Sequence, residues 1–127
     1  MNFFSILIVG AGGFLGSIAR YVTVQSIDQK LNSVFPYGTL AVNIAGSFFL
    51  GVVVGVMGKQ VPSSDSWKLF LATGFCGGFT TFSAFALENI SLFQAKLSLS
   101  SVTYILISIV LGLLAVIAGM AAGRALA

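Results

Sequence analysis

The sequence predicts an all-α membrane protein of four transmembrane helices, with the third helix broken near its centre. Three observations predict this fold. Apolar residues make up 57% of the 127-residue chain and charged residues only 7%, against about 25% charged in an ordinary soluble domain. Four apolar stretches, at about 4–23, 38–57, 67–92 and 101–124, are each long enough to cross a bilayer, which takes roughly 20 residues. The third stretch carries the run Gly74-Phe75-Cys76-Gly77-Gly78-Phe79-Thr80-Thr81-Phe82-Ser83-Ala84-Phe85-Ala86-Leu87-Glu88. Glycines, hydroxyls and phenylalanines stand there where a plain membrane helix would use Leu, Ile and Val. Backbone that leaves the helix at membrane depth exposes donors and acceptors that must bind something.

The first span has no charged segment before it and no small-residue cleavage site after it, so it reads as a retained membrane helix rather than a signal peptide. Gly12 and Gly16 are four apart, and Arg20 follows by the same step. Arg20 is placed to snorkel to headgroups or to draw an anion into a vestibule. In the second span Thr39, Asn43 and Ser47 share one helical face. The amide of Asn43 offers two donors and an acceptor, for a ligand or for a neighbouring carbonyl.

In the third span Phe75, Phe79, Phe82 and Phe85 recur at steps of four, three and three. On an unbroken helix they form one stripe that packs. Gly77 and Gly78 interrupt that helix, and Thr80, Thr81 and Ser83 lie among the rings. Free carbonyls at such a break suit a small hard cation, and free N–H groups and hydroxyls suit an anion. The positive ring edge of phenylalanine solvates an anion without fixed charge. Glu88 fits a proton carrier, a cap for the helix after the break, or an interface position. In the fourth span Tyr104 and Ser108 are four apart, and Gly112 extends their line without a polar group. Hydroxyls there line a hydrated path or bond the carbonyl one turn back. Gly51 and Gly55, and Gly119 and Gly123, repeat the spacing of Gly12 and Gly16, which lets membrane helices approach closely.

The connections, at 25–36, 58–66 and 94–100, are short and polar, so residues 1–127 form a single transmembrane domain. Four helices bury little against each other, which predicts an oligomer. An even number of spans puts Lys59, Lys68 and Arg124 on one side and Arg20, Lys30 and Lys96 on the other. Three against three gives the positive-inside rule nothing to act on. Two oppositely inserted copies can then pair as an antiparallel homodimer.

Enzyme readings fail. The chain has no His and a single Cys, so no zinc site, Cys–His pair or intrachain disulfide is available, and no two carboxylates are close. The glycine run lacks the lysine of a phosphate loop. No basic run suggests nucleic acid. A channel or small transporter remains. A four-helix proton-coupled multidrug exporter needs a carboxylate deep in a helix, typically the first, and that span has none. An assembly subunit needs only packing faces, and neither Asn43 nor a break at Gly77–Thr80.

At these residues the chain resembles the Fluc (CrcB) fluoride channels. The run from Gly74 through Phe85 and Glu88 looks like that family's defining motif. Pro36-Tyr37-Gly38-Thr39-Leu40 with Asn43 and Gly46 looks like its second-helix motif, and Gly12-Gly13, Gly16 and Arg20 like its first-helix pattern. The resemblance covers essentially the whole chain. It implies a dual-topology antiparallel homodimer with two pores, passing fluoride passively across a bacterial inner (plasma) membrane. It also implies roles. Phe82 and Phe85 would coordinate fluoride edge-on, with Asn43 as the amide donor beside them. Thr39, Ser83, Tyr104 and Ser108 would be polar groups of the pore, and Arg20 would sit at the aqueous vestibule. Carbonyls of Gly77 and Thr80 would hold a structural sodium ion at the dimer centre. Ala84 and Ala86 stand where that family often carries hydroxyls, and Gly112 where its polar track continues with a serine.

Overall fold

The structure, a computed structural model, describes residues 1–58 and 61–127. Lys59, one of the six charges weighed above, lies outside the described residues. Among the described residues, four helices are long and apolar enough to cross a membrane: Phe3–Leu31, Tyr37–Met57, Ser66–Gln94 and Ser98–Leu126. We label the first two α1 and α2. The third divides into α3, residues 66–79, and α4, Phe82–Gln94, and the last is α5, Ser98–Leu126.

Several ends are set by side chains. Asn2 Oδ1 accepts the Ser5 N–H at 2.8 Å and starts α1. Asp65 Oδ1 accepts the Trp67 and Lys68 N–H groups at the start of α3. The Gly38 N–H in the first turn of α2 donates to Asp28 Oδ1 of α1 at 3.2 Å, so a polar residue at the end of one helix caps the next.

α1 runs eight residues past the expected end of its span. Residues 25–31, read as part of a polar connection, are helical, and the helix stops where Asn32 turns left-handed at φ 45°. Gln, Asp and Lys weaken a hydropathy pattern without opposing a helix. A 29-residue helix rises about 43 Å and outruns a hydrocarbon core of about 30 Å, so the polar turns lie beyond it.

The protein is apolar on its outside. Phe3, Phe14, Leu99, Leu113 and Ile117 are well exposed, whereas the buried apolar residues are few: Val42, Val53, Cys76, Leu92 and Tyr104. Helix contact therefore comes from close backbone approach. α1 packs on α3, and α2 packs along α5. A methyl added at Gly16 would strike the Phe75 carbonyl of α3, and one added at Gly119 would strike the Phe48 carbonyl of α2.

The third span departs from a regular helix twice. Leu69–Cys76 is wound as a π-helix. Gly77 and Gly78, expected to break the helix, are helical and form its last turn with Phe79. The extended residues are Thr80, at φ −87° and ψ 158°, and Thr81, at φ −149° and ψ 118°. The reason is steric. Gly78 lies against α1, where a Cβ would sit 2.6 Å from the Gly13 carbonyl oxygen and 3.1 Å from the Ser17 nitrogen. β-Branched threonine suits extended backbone.

Gly119→Ala should lower stability by about 1–3 kcal/mol through overpacking. The thermal loss of the monodisperse peak in detergent measures it. Gly10→Ala is the matched control and should not destabilise, because no atom lies within 4 Å of its added methyl and alanine is the better helix former.

Candidate functional site

The site forms where α3 stops and α4 starts. Beyond Phe79, the Thr80 N–H still reaches the Cys76 carbonyl at 3.0 Å, and the Thr80 hydroxyl donates to the same oxygen at 2.9 Å. Thr81 then leaves the ladder. Its N–H donates to Asn43 Oδ1 at 2.7 Å, and its carbonyl accepts from Asn43 Nδ2 at 3.1 Å. One amide of α2 thus satisfies both backbone groups of the extended residue. The Thr81 hydroxyl caps α4, accepting the Ala84 N–H at 3.1 Å, with the Ser83 hydroxyl 3.4 Å away. Nδ2 of Asn43 carries a second N–H.

The interruption cuts the aromatic stripe into two pairs. Phe75 and Phe79 stack with centroids 5.7 Å apart, and Phe75 meets Phe49 of α2 edge-on. Phe82 and Phe85 form the second pair, also 5.7 Å apart but tilted by 41°. Phe85 leans on Tyr104 at 5.1 Å. Phe82 is 79% exposed on the single chain.

An open groove of about 440 Å³ runs past these groups. Asn43 and Ser47 line it from α2, Gly77 from the end of α3, Thr80 and Thr81 from the interruption, Phe82 and Phe85 from α4, and Ser108 and Gly112 from α5. The Ser108 hydroxyl is buried and has no hydrogen-bond partner. A buried hydroxyl without a partner is costly, and this one lines the groove, so a ligand there would complete it.

The other expected site residues lie elsewhere. Thr39 and Tyr104 do not line the groove. The Thr39 hydroxyl donates to Glu88 Oε2 at 2.8 Å, and the Tyr104 hydroxyl to Glu88 Oε1 at 3.0 Å. Glu88 is therefore fixed by two hydroxyls from α2 and α5, and does not cap α4, which Thr81 does. A second cavity of about 230 Å³ adjoins it, with Asp28, Ser33, Phe35 and Ser91 among its walls. Ser83 is exposed. The Arg20 Nε donates to the Gly78 carbonyl at 3.0 Å, on the α1 side of the interruption.

Two buried polar residues escaped the sequence reading. Asn89 donates to the Phe85 carbonyl at 2.9 Å, and the Ser101 hydroxyl donates to Asn89 Oδ1 at 2.9 Å. They tie the α4 segment carrying Phe85 to α5. Both are buried polar residues inside helices, a signal available in the sequence had the faces been known.

The residues that would hold sodium suit a carbonyl-ligated ion. The Thr81 N–H turns to Asn43, so the Gly77 carbonyl loses its helical partner. Gly77 has nothing within 4 Å of an added methyl, which leaves that side of the turn open. The Thr80 carbonyl lies between the two helices and belongs to neither ladder.

The sequence matches the family described as CrcB-like protein, Camphor Resistance (CrcB), over residues 7–120. The chain belongs to the CrcB family. A relative named Fluoride-specific ion channel FluC from Rhizobium johnstonii is 46% identical over 121 residues, covering 95% of this chain and 97% of its own. Proteins of the same name from Azobacteroides pseudotrichonymphae and Flavobacterium psychrophilum are 46% and 44% identical, covering 90% and 91% of this chain and 91% and 94% of theirs. CrcB membership fits a multi-pass membrane protein with four spans.

Asn43→Ala should leave the Thr81 N–H and carbonyl unsatisfied, at about 1–3 kcal/mol for each buried group. Thermal unfolding in detergent checks this. Wild-type stability would show that the amide does not hold the interruption.

Proposed function

We propose that the protein is a fluoride-selective channel that exports fluoride passively across a bacterial inner membrane, working as an antiparallel dual-topology homodimer. The observation that carries this reading is the 44–46% identity, over nine-tenths or more of the chain, to proteins named Fluoride-specific ion channel FluC. The groove supports it. Fluoride is small and strongly hydrated, so its path must replace several strong hydrogen bonds while binding weakly enough to release the ion. The Asn43 amide and the Ser108 hydroxyl supply donors, and the edges of Phe82 and Phe85 supply weaker positive charge.

The bare Phe82 ring and the open groove fit a second copy closing over them. In that pair, the Gly77 and Thr80 carbonyls of both copies would hold a sodium ion, which would supply positive charge at the dimer centre. Equal charge on the two sides of the membrane favours insertion both ways. Thr39 and Tyr104 act on the route through Glu88 and through the Tyr104 ring against Phe85.

Purified protein in liposomes should release fluoride, read by a fluoride electrode, at a rate unaffected by a proton gradient. Fluoride retention by the wild-type vesicles would end the channel reading. Phe82→Ile and Phe85→Ile should each slow release roughly tenfold or more, equivalent to about 1.4 kcal/mol of barrier, while size-exclusion still shows a dimer. Replacing sodium with a large organic cation should shift the detergent-solubilised protein from dimer toward monomer. A dimer population indifferent to sodium would remove the ion from the interface.

A further inference from the structure

We infer that Arg20 is a positioning residue that caps the C-terminal end of α3 through the Gly78 carbonyl, keeping negative backbone charge off the ion route at the interruption. The inference rests on the fluoride-channel reading and goes beyond a vestibule that merely attracts anions.

The backbone geometry comes first. A helix end leaves its last carbonyls without partners, and together they carry about half a negative charge. α3 ends at Phe79. Of its last carbonyls, Cys76 is closed by both the N–H and the hydroxyl of Thr80. The Gly78 carbonyl would bond the Phe82 N–H in a continuous helix, but the extended Thr80 and Thr81 intervene. Arg20 Nε takes that place at 3.0 Å. A charged donor makes a bond roughly twice as strong as a neutral one and also opposes the end of the dipole.

The sequence spacing makes this reach possible. Gly12, Gly16 and Arg20 lie on one line of α1, each step four residues. Methyls at Gly12 and Gly16 would strike the Phe70 and Phe75 carbonyls, and one at Gly78 would lie 2.6 Å from the Gly13 oxygen. Two glycines bring the helix backbones into contact, and the third position on the line supplies the cation. Arg20 is half-buried, and its bond joins residues 58 apart in sequence.

The consequence for an anion is electrostatic. The end of α3 meets the same interruption as Asn43, Thr81 and Phe82. Uncapped, its partial negative charge would oppose fluoride there, in a medium where charges act more strongly than in water. With Arg20 bound to Gly78, a fixed cation offsets it from the α1 side. Arg20 does not line the groove, so the cation offsets the charge without trapping the ion.

The test compares Arg20→Met, which keeps length and removes the donor, with Arg20→Gln. The glutamine amide nitrogen falls at the same bond count as Nε and can still donate to Gly78. In fluoride-loaded liposomes, Arg20→Met should lower the maximal efflux rate about tenfold, and Arg20→Gln should recover part of it. The fluoride concentration giving half-maximal rate should not move in either variant. An amide-to-ester replacement at Phe79 weakens the Gly78 carbonyl, and its effect should be smaller in Arg20→Met than in the wild type. Should Arg20→Met not assemble, the same cycle is run with Arg20→Gln, where the ester should again cost less than in the wild type. Equal rates for the Met and Gln variants, a change confined to the half-maximal concentration, or additive effects of ester and substitution would overturn the inference. Absence of flux in wild-type vesicles would instead overturn the channel reading.

Discussion

The peptide groups of Thr81 lie within a membrane span and have no helical partner, and Asn43 supplies both of theirs. In hydrocarbon an unsatisfied backbone group costs several kcal/mol, so the extended pair Thr80–Thr81 depends on this amide. Its two bonds, at 2.7 and 3.1 Å, fix α2 against the start of α4. That in turn sets where Phe82 and Phe85 stand. It also frees the Thr81 hydroxyl to cap α4, and Thr80 to close the last turn of α3. Arg20 holds the same place from α1. The interruption is thus held by α1 and α2.

The four spans were legible because hydropathy reports the solvent directly. Their ends were less so, because hydropathy measures lipid exposure and not helix. Residues 25–31 are polar enough to leave the bilayer and still good enough helix formers to continue α1. The interruption was displaced for a related reason. Glycine opposes a helix in water, which pointed to Gly77 and Gly78. In this bundle Gly77 is simply helical, and the missing side chain of Gly78 serves contact with α1. Gly74 and Gly78 are four apart and face α1 as a pair, the same spacing as Gly12 and Gly16. The motif that read as a break at Gly77 and Gly78 contains a packing face, Gly74 and Gly78, and the extended backbone follows Gly78 by two residues.

Within the site, the residues carried by spacing were the readable ones. Asn43, Ser108, Phe82 and Phe85 lie on the helical lines read from the sequence, and the groove gathers them, whereas Phe75 and Phe79 pack away from it. Glu88 was not readable, because its partners lie 49 and 16 residues away and no local pattern relates a carboxylate on α4 to hydroxyls on α2 and α5. The same holds for Asn89 with Ser101. Thr39 and Tyr104 stood out as polar groups inside spans, but spacing alone could not say that each would be turned toward a carboxylate rather than toward the groove.

That division of polar groups bears on how an anion could pass. The strong donors near the interruption are already engaged. Arg20 bonds the Gly78 carbonyl, Thr39 and Tyr104 bond Glu88, and Asn43 gives one N–H to Thr81. What remains along the groove is modest: the hydroxyls of Ser108 and Ser47, the second N–H of Asn43, and the rings of Phe82 and Phe85. A site with a free guanidinium at its centre would bind a small anion tightly and release it slowly. A site of weak donors, with the fixed charge displaced to the helix end behind it, lowers the cost of dehydration without creating a deep well. Conduction requires that combination. The same bonds that hold the interrupted backbone in place therefore also remove the strongest ligands from the proposed route.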